Sequence, residues 1–152
     1  MKIKVDDLSG WQIQDLLRFH ISHLSAISDP CSMHALNLDA LRKPNITFWS
    51  VWSDAGELMG CGALKELDAQ HAEVKSMRTA PAHLRKGVAS HLLDHIINEA
   101  KRRHYRRLSL ETGASELFVA AHGLYSKFGF QRCGPFGDYK EDLNSFFFTR
   151  EL

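Results

Sequence analysis

"PAHLRKGVASHLL", residues 81–93, joins a proline turn to two basic residues, a glycine and a helical run. Two readings of it compete. One is an ordinary loop-to-helix junction. The other is a cradle for phosphate, because a helix's first turn leaves N–H groups unpaired and carries the positive end of the dipole. Gly87 leaves the backbone unobstructed for an anion. Arg85 and Lys86 add positive charge nearby, and Ser90 adds a hydroxyl donor. The stretch is not a P-loop, since GxxxxGK[ST] is absent. It is not a dinucleotide fingerprint either, since Gly60-Cys61-Gly62 lacks the third glycine and lies inside a strand.

Working outward, apolar spacing organises the whole chain. Val88, Leu92, Leu93, Ile96, Ile97 and Ala100 share one face of a helix over residues 88–103. Upstream, "HAEVKSMRTA" (71–80) is a strand pointing into the glycine turn, and downstream "RRLSLET" (106–112) is another. MKIKV reads as a first strand, and Ile13, Leu16, Leu17, Ile21, Leu24 and Ile27 mark a helix over residues 10–28. Residues 33–42 predict a second, short helix ended by Pro44. "ITFWSVW" and "ELMGCGALKEL" predict strands joined by a hairpin turn at Asp54-Ala55-Gly56. Residues 115–128 predict a helix closed by Gly129, and "FQRCGPF" and "SFFFTREL" predict closing strands. Hairpin-linked strands followed by crossover helices predict an α/β mixed sheet with helices on both faces.

Bulk composition sets limits. At 152 residues and 44% hydrophobic content, residues 1–152 predict one globular domain with a real core. Nineteen Lys and Arg against eighteen Asp and Glu neither demand nor exclude a polyanion. No apolar stretch is long enough for a bilayer, so no membrane partner is expected. The N-terminal stretch has no apolar h-region, and Cys31, Cys61 and Cys133 form no CxxC. The expectation is a cytoplasmic protein with free thiols.

Two motifs together carry a resemblance. "AEVKSMRTAPAHLRKGVASHLLDHII" resembles the acetyl-CoA-binding core of the GNAT superfamily of N-acetyltransferases, whose pattern Q/R-x-x-G-x-G/A falls on Leu84 to Ala89. Gly87 and Ala89 match; Leu84 stands where the family has Gln or Arg. "AAHGLYSKFGFQRCG" resembles the family's helix ending in L-Y-x-x-x-G-F, with Leu124, Tyr125, Gly129 and Phe130 in place. Phe118 replaces the asparagine often found seven residues before that tyrosine.

The resemblance implies a mostly antiparallel sheet in which two parallel strands splay apart around acetyl-CoA. Met77 and Thr79, with Arg78 between them, would offer the strand edge to pantetheine. Arg85, Lys86, Gly87, Val88, Ala89 and Ser90 would hold the pyrophosphate. The reaction implied is acetyl transfer to a primary amine of a small molecule or peptide, with no metal. Glu73 is the candidate base, directly or through water, and Tyr125 the candidate acid toward the departing thiolate. A backbone N–H near Met77 or Thr79 would polarise the thioester carbonyl. A homodimer is an expectation at the level of the family. Substrate selection should involve the first two helices, where His23, Asp29, His34 and Asp39 are polar candidates.

Other readings compete. A domain that binds acyl-CoA as a sensor needs the cradle but neither acid nor base. His91 and His95, one helical turn apart, suggest a metal-dependent hydrolase, but no third ligand is signposted and a solvated helix face explains both. "KRRHYRR" (101–107) suits the C-terminal end of a helix, so no nucleic-acid partner is expected. Cys31, near His34, has no fixed partner that would make it a nucleophile.

Overall fold

The computed structural model describes residues 1–27 and 38–152. Strand β1 (Lys2–Val5) leads to helix α1 (Trp11–Ile27) and a short α2 (Leu38–Leu41). Three strands follow, β2 (Ile46–Trp52), β3 (Leu58–Glu66) and β4 (His71–Thr79). Then come α3 (Val88–Arg102), β5 (Arg107–Gly113), α4 (Val119–Lys127), β6 (Gln131–Cys133) and β7 (Ser145–Glu151). The order matches the sequence reading element by element. Of the expected second helix, only α2 falls within the described residues.

The strands form one seven-stranded sheet in the order β1-β2-β3-β4-β5-β7-β6. Among the described residues β4 and β5 are its single parallel pair. The reason is connectivity: β2–β3 and β3–β4 are joined by short turns, whereas α3 carries the chain over the sheet between β4 and β5. In the first hairpin Ser53 N–H donates to Glu57 O and Gly56 adopts φ 81°. That left-handed residue is what Gly56 supplies at the expected turn.

Each face of the sheet buries its own cluster. Val88, Leu92, Leu93, Ile96, Ile97 and Ala100 of α3 are all buried, against Leu64, Val74, Leu108 and Leu110. Each buried leucine or isoleucine contributes about 2 kcal/mol. Tyr125 of α4 joins this cluster with Phe130 and Phe148. On the opposite face Ile13, Leu16 and Leu17 of α1 and Leu41 of α2 pack on Phe48, Cys61 and Ala63.

Two glycines let α3 sit this close. A Cβ on Gly60 would lie 2.8 Å from Arg78 O and 2.9 Å from Val88 Cγ1. On Gly62 it would lie 2.5 Å from Met77 Sδ and 3.0 Å from Leu92 Cδ2. Gly60-Cys61-Gly62 is therefore a packing device, not a nucleotide loop.

The expected helix over 115–128 divides in two. A 3₁₀ turn (Glu116–Phe118) precedes α4, and Ser115 Oγ caps it by accepting from Leu117 N–H at 3.1 Å. The Phe118 ring lies where a side chain at Gly113 would be, so the turn follows the end of β5 before the helix begins. The far end behaves as expected. Gly129 (φ 87°) places Phe130 N–H 3.0 Å from Tyr125 O and Gly129 N–H 3.1 Å from Ser126 O. Those two bonds make a Schellman motif.

Candidate active site

The site begins where the parallel pair parts. β4 and β5 are paired only from His71–Val74 to Arg107–Leu110. Beyond that, β4 bulges: Lys75 faces Ala63 and Arg78 faces Cys61, so Ser76 and Met77 together oppose Gly62. Ser76 takes φ 56°, the left-handed conformation such a bulge imposes. The extra residue bends β4 away from β5. Ala80 N–H donates to Met59 O of β3 at 2.8 Å. Alternation along the strand then turns the Thr79 and Met77 N–H groups the other way, toward the gap.

On the α3 side the gap opens into a cavity of about 210 Å³. Cys61, Met77 and Arg78 line it from the sheet, Val88, Ala89 and Leu92 from α3, and Ala121, Leu124 and Tyr125 from α4. The Schellman motif fixes Tyr125, and its ring meets those of Phe130 at 5.9 Å and Phe148 at 6.2 Å. Burial, then the charge of Glu111, pushes its phenol up to about 12.

At the mouth of the cavity lies the segment that opened the sequence reading. Pro81–His83 forms a 3₁₀ turn, Arg85 adopts φ 62°, and Gly87 (φ 81°) is the N-cap of α3. The left-handed conformation costs Arg85 about 1 kcal/mol. His91 N–H donates to Gly87 O at 3.0 Å, which leaves the preceding N–H groups, Val88 to Ser90, at the helix mouth. Leu84, the misfit to the family pattern, is exposed beside them. Lys86, an exposed residue, has its Nζ 3.2 Å from His83 Nδ1, and His83 Nε2 lies 3.0 Å from Glu57 Oε2.

Glu73 belongs to the other face of the sheet. It is the third residue of β4 and only 2% exposed. Its Oε2 accepts from the Tyr139 hydroxyl at 2.6 Å and from Lys75 Nζ at 3.0 Å. Lys75 Nζ also donates to the Tyr139 oxygen at 2.8 Å, closing a three-membered ring of polar groups. Burial, then the Glu73 carboxylate, holds the Tyr139 phenol above its ordinary range. Around this ring, Ser145 Oγ donates to Glu111 Oε2 at 2.7 Å, and His71 Nε2 lies 2.7 Å from Ser109 Oγ.

Sequence reasoning missed Lys75, Tyr139 and Glu111. Alternation gave a signal for Lys75, two residues from Glu73 on one strand. Tyr139 carried none: it lies between β6 and β7, where Phe136 and Phe147 hold its ring at 5.1 Å and 5.5 Å. The side chains of His23, Asp29, Cys31 and His34 lie outside the described residues, and Asp39 sits in α2. His91 is exposed, and His95 packs edge-on against Trp49 at 5.4 Å. Among the described residues no three His, Cys, Asp or Glu side chains gather as a metal site requires, and no helix is long and apolar enough to cross a membrane. In the basic run, Arg102 and Arg103 both pair with Glu99, and Tyr105 is buried with its hydroxyl on Glu66 Oε1 at 2.6 Å.

A splayed parallel pair, an open helix mouth and a tyrosine-lined cavity between them define a class: acyltransferases that draw their acyl group from a coenzyme A thioester. The chain belongs to the acetyltransferase (GNAT) family, whose sequence profile matches residues 13–130. It is an acetyltransferase that uses acetyl-CoA. It is 57% identical over the full length of both chains to an uncharacterized N-acetyltransferase, YsnE, of Bacillus subtilis. It is 51% identical to an uncharacterized N-acetyltransferase, YedL, of Escherichia coli, over 99% of this chain and 94% of that one. Its fold is similar to that of a GNAT family acetyltransferase from Elizabethkingia anophelis with acetyl-CoA bound, at TM-score 0.69 and 20% identity, over 99% of this chain and 97% of that one.

Proposed function

We propose that the chain transfers the acetyl group of acetyl-CoA to a primary amine of a small molecule or peptide by direct attack on the thioester. One observation supports the reading: β4 and β5 part just past Val74, one residue beyond Glu73, and Tyr125 lines the cavity on the opposite face of the sheet. The coenzyme enters along the α3 side. Its pyrophosphate meets the N–H groups from Arg85 to Ser90, and its pantetheine arm runs along the β4 edge at Met77, Arg78 and Thr79. The amine approaches from the Glu73 side.

Glu73 takes the proton of the attacking amine, directly or through water, while Lys75 and Tyr139 position its carboxylate. A β4 N–H at Met77 or Thr79 polarises the thioester carbonyl. Tyr125 acts on the sulfur. With its phenol at about 12 against about 8.5 for a thiol, full proton transfer to the thiolate runs uphill by over three pKa units, roughly 5 kcal/mol. Tyr125 therefore stabilises the leaving thiolate chiefly by donating a hydrogen bond.

The test is release of coenzyme thiol from acetyl-CoA with a panel of amines, alongside thermal melts. Saturating acetyl-CoA should raise Tm, and at least one primary amine should release thiol. Glu73→Gln should depress turnover most at lower pH, where amine deprotonation limits the rate. Coenzyme binding with no turnover on any amine would overturn the transfer reading.

A further inference from the structure

We propose that the acceptor amine carries a carboxylate and that the Arg78 side chain selects it. This names the substrate class of the transfer proposed above and rests on that reading. Arg78 follows the bulge, which returns Met77 to the α3 side, against Gly62 and Leu92, and turns Arg78 to the opposite face, where α1 packs. Its Cζ lies 4.8 Å over the ring of Phe19 in α1. The guanidinium therefore lies on the Glu73 face of the sheet, while Arg78 also borders the cavity that Val88 and Ala89 line at the start of α3.

What distinguishes Arg78 is a donor with nothing to donate to. Its Nε is buried and has no hydrogen-bond partner among the described residues. Among them no carboxylate pairs with it either. Lys75, a second cation of this face, donates to Glu73 and Tyr139. Burial holds Arg78 below the ordinary arginine value, so its charge is held at a cost. The Phe19 ring beneath Cζ accepts no conventional N–H hydrogen bond, so this contact does not satisfy the guanidinium donors. Those donors match the two oxygens of a carboxylate. A buried unpaired donor in a native fold asks for a partner, and the acceptor is the molecule that visits this face.

A site built to bond a polar group discriminates against the analogue that lacks it, because its own donors are then left unpaired. The experiment compares matched acceptors: α-amino acids and the amines formed by removing their carboxylate, followed by thiol release from acetyl-CoA. The wild type should favour the acid of each pair by tenfold or more in kcat/KM. Arg78→Met should bring the two members within about threefold by raising the KM of the acid, and Arg78→Lys should restore part of the preference. A second arm needs neither turnover nor a variant. N-acetylamino acids should raise the Tm of the CoA-saturated wild type more than their neutral amides do.

Equal or better use of the decarboxylated amines overturns the inference and leaves acetyl transfer standing. Equal stabilisation by acids and amides overturns it whether or not turnover is found. Loss of the coenzyme-induced Tm shift in Arg78→Met would assign the side chain to the coenzyme instead. Coenzyme binding without turnover on any acceptor would sink the transfer reading itself, and the acid–amide melts would still decide whether Arg78 holds a carboxylate.

Discussion

The Tyr139 hydroxyl donates a 2.6 Å hydrogen bond to Glu73 Oε2 across 66 residues of chain. It ties the segment between β6 and β7 to the strand that carries the candidate base. A hydrogen bond to a charged group contributes about 1.5–3 kcal/mol. Tyr139→Phe keeps the ring against Phe136 and Phe147 and removes the hydroxyl, both the donor to Glu73 and the acceptor for Lys75. Turnover should fall about tenfold or more with coenzyme affinity unchanged. A loss of coenzyme affinity of the same size, measured by titration, would make Tyr139 a packing residue and no more.

Tyr125→Phe separates packing from chemistry on the other face. Its ring contacts with Phe130 and Phe148 survive, so stability in denaturant at neutral pH should change by less than about 1 kcal/mol. Turnover should fall while coenzyme affinity holds, and equal turnover would remove Tyr125 from the chemistry.

The same phenol predicts an alkaline limb in stability. A folded value of about 12 lies above the value of about 10 usual for a free tyrosine, so the native state binds this proton more tightly than the unfolded chain does. The contribution is fully present below about pH 10 and is lost as pH rises through about 12. Tyr105, pushed up to about 12 by burial and then by Glu66, acts in the same direction. Urea unfolding at a series of pH values should show stability falling over that window, less steeply in Tyr125→Phe.

Gly87 separates conformation from space. At φ 81° a Cβ meets nothing within 4 Å, so Gly87→Ala should cost only about 1 kcal/mol, from backbone conformation. Gly87→Glu adds bulk and negative charge at the helix mouth and should abolish the acetyl-CoA-induced rise in Tm. Retained affinity in Gly87→Glu would move the cradle elsewhere.

Gly62→Ala tests the opposite case, where φ is ordinary and space is not. The new methyl would meet Met77 Sδ at 2.5 Å and Leu92 Cδ2 at 3.0 Å. Overpacking of this kind costs about 1–3 kcal/mol. Because Met77 lines the cavity, coenzyme affinity should weaken with stability. Denaturant unfolding and coenzyme titration on one preparation check both.

The legible parts of this protein were the periodic ones. The six buried positions of α3 could be read off a 3.6-residue repeat, and Gly129 marked the end of α4 because a left-handed residue there has one ready source. Short-range pattern could not reveal the bulge, since Ser76 is an ordinary residue whose positive φ comes from the β3 register. Tyr139 and Glu111 were missed because each acts through a partner distant in sequence, and alternation reports a face, not a neighbour across it. The break between the 3₁₀ turn and α4 depends on the Phe118 ring occupying the space beside Gly113, a contact no local propensity encodes.

The bulge at Ser76 also acts as a phase shift. Strict alternation from Glu73 and Lys75 would send Met77 to the Glu73 face and Arg78 under α3. One extra residue exchanges them, so a thioether lies beside Leu92 and a guanidinium over Phe19. A chain shortened by one residue here would invert every later side chain of β4. Two proteins of this fold that differ on this strand by that one residue would therefore present opposite side chains to the two faces of the sheet.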